Sequence, residues 1–366
     1  LTEQKEVMVM RELPQPRPTY ILVRGQYDAP SRQVWPGTPA SVLPLDTLRY
    51  APNRLGLAQW LFDPAHPLTA RVLANRYWQL IFGRGLVATP EDFGNQGALP
   101  THPELLDWLA VTFQESKWDL RALLKTMVMS ATYRQASSAG PELRERDPAN
   151  LLLARGPSQR LPSEMMRDQA LCASGLLVRT VGGPSVKPYQ PAGLWEALAT
   201  RNATVYEQDH GPSLYRRTLY TLWKRTSPHP ALLSLDAADR SYCNVRRQNT
   251  STPPQALVLL NDPQYVEAAR VLAEKMIREG GPQLSGRLVR GFRALTGRKP
   301  REEEIRILET MYIAEKEAFS KEPGRAEKLL ATGEYPRDRS LPQAEVAALT
   351  LVASAMMNSD EAVMKR

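Results

Sequence analysis

The sequence predicts a mainly α protein: a multi-helix orthogonal bundle with a short β element near the N-terminus and an irregular, Pro/Gly-rich centre. Three observations lead there. Apolar residues recur with the helical period over residues 53–180 and again over 261–366. Glycines and prolines stand where those periodic runs should stop and start. Between Gly182 and Pro254 the helical period is lost and Pro and Gly recur.

Residues 1–52 read as an extended, Pro-rich arm in which Thr19 to Gly25 is β-branched and aromatic enough for one short strand. Residues 53–366 read as a single large helical domain. Its helical halves, 53–180 and 261–366, flank an Arg- and aromatic-rich centre at 181–260. Helices are expected near 53–62 and 67–82, the second with Leu68, Val72, Leu73, Tyr77, Leu80 and Ile81 on its apolar face and Gly83 as its stop. Thr101-His102-Pro103-Glu104 has the spacing of a capping box ahead of Leu105, Leu106, Leu109 and Phe113. Further helices follow at 120–133 and 162–175. Within the centre, only Arg216 to Trp223 alternates like a strand.

The last third is punctuated more sharply. Asn261-Asp262-Pro263 supplies a cap and a first-turn proline, and Gly280-Gly281 a stop. Leu284, Leu288, Phe292 and Leu295 form the next stripe, closed by Gly297. Pro300 opens a helix whose Glu302, Glu303 and Glu304 suit the positive end of its dipole. Ser340 to Gln343 repeats the capping-box spacing before a helix reaching about Met357.

The 366 residues carry 47 Lys plus Arg against 39 Asp plus Glu, a formal charge of +8. The excess is local: residues 151–260 hold 13 basic and 7 acidic side chains, whereas 1–150 hold 16 and 15 and 261–366 hold 18 and 17. That distribution argues against a general nucleic-acid coat and points to one arginine-rich face or network. No run of about 18 apolar residues is present, so no transmembrane segment is expected. The chain begins at Leu1 rather than Met and without a signal-peptide pattern, which predicts a fragment or a processed product.

Cys172 and Cys243 lack CxxC spacing, which rules out a CxxCH haem attachment and a cysteine-built zinc site within this chain. A disulfide between them and two free thiols both remain open. His66, His102, His210 and His229 include no pair at the spacing that puts two ligands on one helix face, so no metal site is predicted.

The candidate functional residues fall in two groups. Arg76 and Trp78 inside the second helix read either as a polar, aromatic-lined pocket or as a structural Arg beneath a cap, and His102 either as an acid or base or as a packing residue. In the centre, Arg217, Trp223, Arg225, Arg240, Arg246 and Arg247 interleave base with aromatic and read as a ligand-binding surface or as a salt-linked structural network. Asp236 and Asp239 are candidate paired carboxylates for acid and base work, or simply turn residues. Asn202-Ala203-Thr204 and Asn249-Thr250-Ser251 match the glycosylation pattern.

Asn75-Arg76-Tyr77-Trp78, Phe82-Gly83-Arg84-Gly85-Leu86-Val87, Asp92-Phe93-Gly94, the run from Thr101 to Leu109 and Ser130-Ala131-Thr132-Tyr133-Arg134-Gln135 carry a resemblance, as do Tyr215 to Tyr220, Asp239 to Cys243 and Leu260 to Pro263. Over about residues 50–357 the chain resembles the C-terminal domain of unknown function of planctomycete and verrucomicrobial proteins that carry cytochrome c domains. It departs from that pattern at Asn249 and Ser251, where Arg and Asn are more usual. The resemblance implies an extracytoplasmic module, in the periplasm or at the cell surface, with upstream domains of the same polypeptide as partners. Haem c would be carried upstream, with no cofactor in this chain. It implies no reaction. Three functions stay open: a module binding a partner or ligand beside a c-type cytochrome; an enzyme acting on polysaccharide or another polymer with a pocket from Arg76, Trp78, His102, Asp236, Asp239 and Arg240; and anion or nucleic-acid binding through the centre.

Overall fold

The computed structural model describes residues 6–197 and 205–365, so the Asn202-Ala203-Thr204 motif lies outside the described residues. The protein is mainly helical, with a small two-stranded sheet near its N-terminus. It divides into two compact units, Leu1–Arg134 and Gln135–Arg366.

In the first unit the expected strand, Thr19–Leu22, pairs antiparallel with a second one, Pro30–Val34, that the sequence reading treated as extended arm. The second strand escapes a pattern search because it opens on proline and carries Ser, Arg and Gln in succession. Helices Thr69–Phe82, Pro103–Glu115 and Leu120–Met129 pack on one another pairwise. The buried stripe of Thr69–Phe82 is Ala70, Ala74, Asn75, Trp78 and Ile81, rotated from the expected face, so Leu80 points to solvent. Small alanines let neighbouring helices approach, which a search for large apolar residues overlooks. Fully buried Asn75 explains the turn after this helix: its side chain accepts from the Val87 amide at 2.9 Å and donates to the Val87 carbonyl at 3.1 Å.

Both expected capping boxes are absent, although both helices form. Thr101 turns its amide and hydroxyl to the Leu86 carbonyl, leaving His102 at the cap of Pro103–Glu115. Ser340 donates instead to Asp338, and Pro342 caps Gln343–Met357. A capping residue whose hydroxyl finds another acceptor, as near as Asp338 or as far along the chain as Leu86, is withdrawn from the helix. At the start of Glu302–Lys321 the returning half of a box forms: the Glu304 carboxylate accepts from the Arg301 amide at 2.6 Å and from its guanidinium at 3.0 Å.

The second unit is built around Pro263–Glu279, which packs against Gln343–Met357, Ser163–Ser174 and Leu284–Thr296. Gln343–Met357 is alanine-rich and buried on nearly every side, and it also packs on Glu302–Lys321. A second strand pair joins Gln159–Arg160 to Met364–Lys365. Helices Pro253–Asn261 and Pro323–Leu330 are additional to the sequence expectation, each opened by proline. The strand expected over 216–223 is not one. Thr218–Tyr220 is a 3-10 turn, and Arg216 and Thr221 make single parallel bridges to Val178 and Val186. Alternation there reflects a polar interior beneath the segment, described next, and not a pleated ladder.

Candidate functional site

Arg167 organises the irregular centre. Its place in Ser163–Ser174 puts it on the buried face with Met166, Ala170 and Leu171, and only 3% of it is exposed. The guanidinium donates to the carbonyls of Leu214 (2.6 Å) and Arg216 (2.9 Å), to Thr218 Oγ1 (3.1 Å) and to Gln264 Oε1 (2.8 Å). Neighbouring Asp168 takes the Thr218 amide and hydroxyl. Burial pulls the pKa of Arg167 down, partly opposed by Asp168. Segment 214–218 is therefore held by side chains where a sheet would use a backbone ladder.

Arg216 extends the same device. It donates to the carbonyls of Pro184, Thr180 and Gly182, and its guanidinium stacks 3.9 Å from the Tyr220 ring. The positive excess of the centre is thus partly consumed inside, on carbonyl oxygens.

Of what remains outside, Arg246 and Arg247 line an open cleft of about 650 Å³ formed by residues between Leu233 and Thr250. Asp236 closes the loop behind it. Its carboxylate accepts from the Thr250 amide (2.7 Å), from Thr250 Oγ1 (2.8 and 3.0 Å) and from Gln255 Nε2 (3.1 Å). Asp236 and Arg240 both adopt positive φ, 65° and 63°, an uncommon conformation for non-glycine residues that clusters at ligand clamps and switch loops. Asp239 receives the Ser241 amide on its side chain and the Trp223 indole N–H on its carbonyl. Arg240 lies over the Trp223 ring at 4.7 Å. Arg247 pairs with Glu164; burial alone would raise that carboxyl, but the Arg247 hydrogen bond and further polar contacts outweigh it and hold it below the usual range.

The structure thus brings Asp236, Asp239, Arg246 and Arg247 to one cleft, with Trp223 and Arg240 adjoining through Asp239. Arg217 and Arg225 are exposed and do not line it. Arg76, Trp78 and His102 belong to the other unit. There Arg76 is exposed, Trp78 is buried and stacked on Phe82 at 3.9 Å, and His102 caps a helix with Nδ1 3.0 Å from Thr101. Cys172 and Cys243 are exposed free thiols. Among the described residues no group of three or more His, Cys, Asp or Glu is placed to hold a metal ion, and no helix is long and apolar enough to cross a membrane.

A family model, PSD1, described as a protein of unknown function (DUF1553), matches residues 53–312. The chain belongs to the PSD1 family. No curated protein and no solved structure matches it. The PSD1 match spans the whole cleft together with Arg167 and its partners.

Several cleft and network residues were missed by sequence reading. Tyr242, Asn244 and Gln248 line the cleft but form no motif. Arg167 is a buried charge whose one available sign was its position on the apolar side of its helix, whereas Glu267, Arg270 and Glu274 lie opposite the Tyr265, Ala268, Leu272 and Met276 stripe, the side that periodicity leaves to solvent, and are buried because that side of Pro263–Glu279 is covered as well.

Proposed function

We propose that this PSD1 chain is a ligand-binding module whose cleft at residues 233–250 takes a hydroxyl-rich polymer segment, a polysaccharide. The observation that carries the reading is the composition of the cleft wall. Asp239, Asn244, Arg246, Gln248 and Asn249 present donors and acceptors together, beside a Tyr242 ring that is 69% exposed. Sugar hydroxyls both donate and accept, so they match such a mixed wall, and a sugar face can lie on an exposed aromatic ring. A polyanion would be opposed by Asp239 and would find Arg247 already paired with Glu164.

Asp236 supports binding over catalysis. Both its oxygens are engaged by Thr250, and one also by Gln255, which leaves a loop clamp and not a free base. Resemblance to the C-terminal domains of cytochrome-c-associated proteins supports an exported setting, with haem c on an upstream domain and this module capturing substrate beside it. An upstream CxxCH and signal peptide in the full reading frame would fit that setting; a cytoplasmic frame without either would reject it. Binding is tested by titrating the isotope-labelled chain with oligosaccharides. Shifts concentrated at 233–250 are expected, and shifts elsewhere with none there would reject the cleft.

A further inference from the structure

Apart from the cleft, the same unit holds a much smaller space of about 10 Å³, walled by Arg167, His229, Ala231, Asp262, Gln264 and Tyr265 among others. Three of these residues each have one buried polar atom with no partner among protein groups: His229 Nδ1, Gln264 Nε2 and Tyr265 Oη. Such orphans are rare and each demands a partner.

The hydrogen-bonding role of each atom follows from what its residue already does. His229 Nε2 lies 2.9 Å from the Tyr189 carbonyl, which can only accept, so Nε2 carries the proton. Burial keeps the imidazole neutral, pushing its pKa down to about 4, and Nδ1 is left as a bare acceptor. Gln264 Oε1 accepts from Arg167, which can only donate, so the amide is fixed with Nε2 outward as a donor. The Tyr265 hydroxyl can do either.

We infer that this cavity is a binding site for one internal water, which accepts from Gln264 Nε2, donates to His229 Nδ1 and completes its bonding with Tyr265 Oη. The volume suits a single water, and three partners is the usual number for a buried one. Ions fit worse. An anion would face the His229 lone pair, and a cation would face the Gln264 amide hydrogens with the Arg167 guanidinium close behind. The water would join Pro263–Glu279 to the loop ahead of Pro230–Ser234, so the irregular centre is tied to the helical core by a solvent molecule as well as by Arg167.

The test is a high-resolution crystal structure of the unmodified chain, paired with oxygen-17 relaxation dispersion of the chain and of Ala231→Val, which fills the space. One density peak at about 2.7–3.2 Å from all three atoms is expected. The dispersion should count one long-lived water fewer in the variant. An empty cavity, a peak bonded to only one of the three atoms, or coordination typical of an ion would overturn the inference, even if the variant failed to fold.

Discussion

Thr250 gives both its backbone amide and its hydroxyl to the carboxylate of Asp236, at 2.7 and 2.8 Å, across fourteen positions of chain. That contact shuts the loop forming the cleft wall and holds Asp236 at φ 65°. Asp236→Ala removes every bond of the clamp and keeps the unfavourable backbone. A stability loss of about 2 kcal/mol is expected, since charge-assisted bonds contribute about 1.5–3 kcal/mol each before relaxation. Denaturant unfolding measures it, and ligand affinity should fall with it.

Arg167 is expected to be the least replaceable polar residue of the centre. Arg167→Met leaves two carbonyls, a hydroxyl and the Gln264 oxygen without their donor, at a cost of about 3 kcal/mol or more. Arg167→Lys should recover only part, because an ammonium cannot reproduce the planar fork. Urea midpoints of the three proteins order them Arg, Lys, Met.

Two glycines separate conformational strain from collision. Gly297 and Gly333 both hold positive φ, 75° and 88°. A Cβ on Gly297 meets open space, whereas one on Gly333 would lie 2.3 Å from the buried Glu267 carboxylate. That carboxylate already accepts from Tyr215, Tyr189 and the Tyr335 amide, so it has nowhere to retreat. Gly297→Ala should cost about 1 kcal/mol, and Gly333→Ala about 3 kcal/mol once overpacking is added. Equal melting shifts would contradict this.

His229 makes stability depend on pH. Its folded pKa is pushed down to about 4 from 6.5, chiefly by burial. Between those values the unfolded chain binds a proton that the folded chain refuses, so stability is complete above about 6.5 and falls as pH drops toward 4. The full loss is about 3 kcal/mol. In His229→Phe this component should vanish, and unfolding free energies of the two proteins should converge by about that amount between pH 6.5 and pH 4.

The helices were legible where punctuation was local. Gly83, Gly175 and Gly297 end helices with positive φ, and Asp262 caps Pro263–Glu279 through the Gln264 amide, all from residues within one turn. The capping boxes failed because Thr101 and Ser340 found competing acceptors, Leu86 O and Asp338, that spacing alone does not reveal. The apparent strand over 216–223 failed for a longer-range reason, since its partner is a guanidinium about 50 residues upstream. Of the candidate site, the central Asp and Arg residues were visible as a charge cluster, and four of them line one cleft. Of the Arg76, Trp78 and His102 group, Trp78 sits in a buried aromatic stack and His102 stands at the cap of Pro103–Glu115, placements that depend on packing and not on residue type alone.

The cleft at 233–250 as a sugar-binding site is tested most directly by calorimetric titration of neutral, uronic and sulfated oligosaccharides into the unmodified chain and into Tyr242→Ala/Asn244→Ala. Neither residue is buried or part of the Asp236 clamp, so the variant should fold normally. Binding of a neutral oligosaccharide, weakened at least about tenfold in the variant, a loss of about 1.4 kcal/mol, is the predicted result. Failure of every oligosaccharide to bind, or equal binding by the variant, would contradict it.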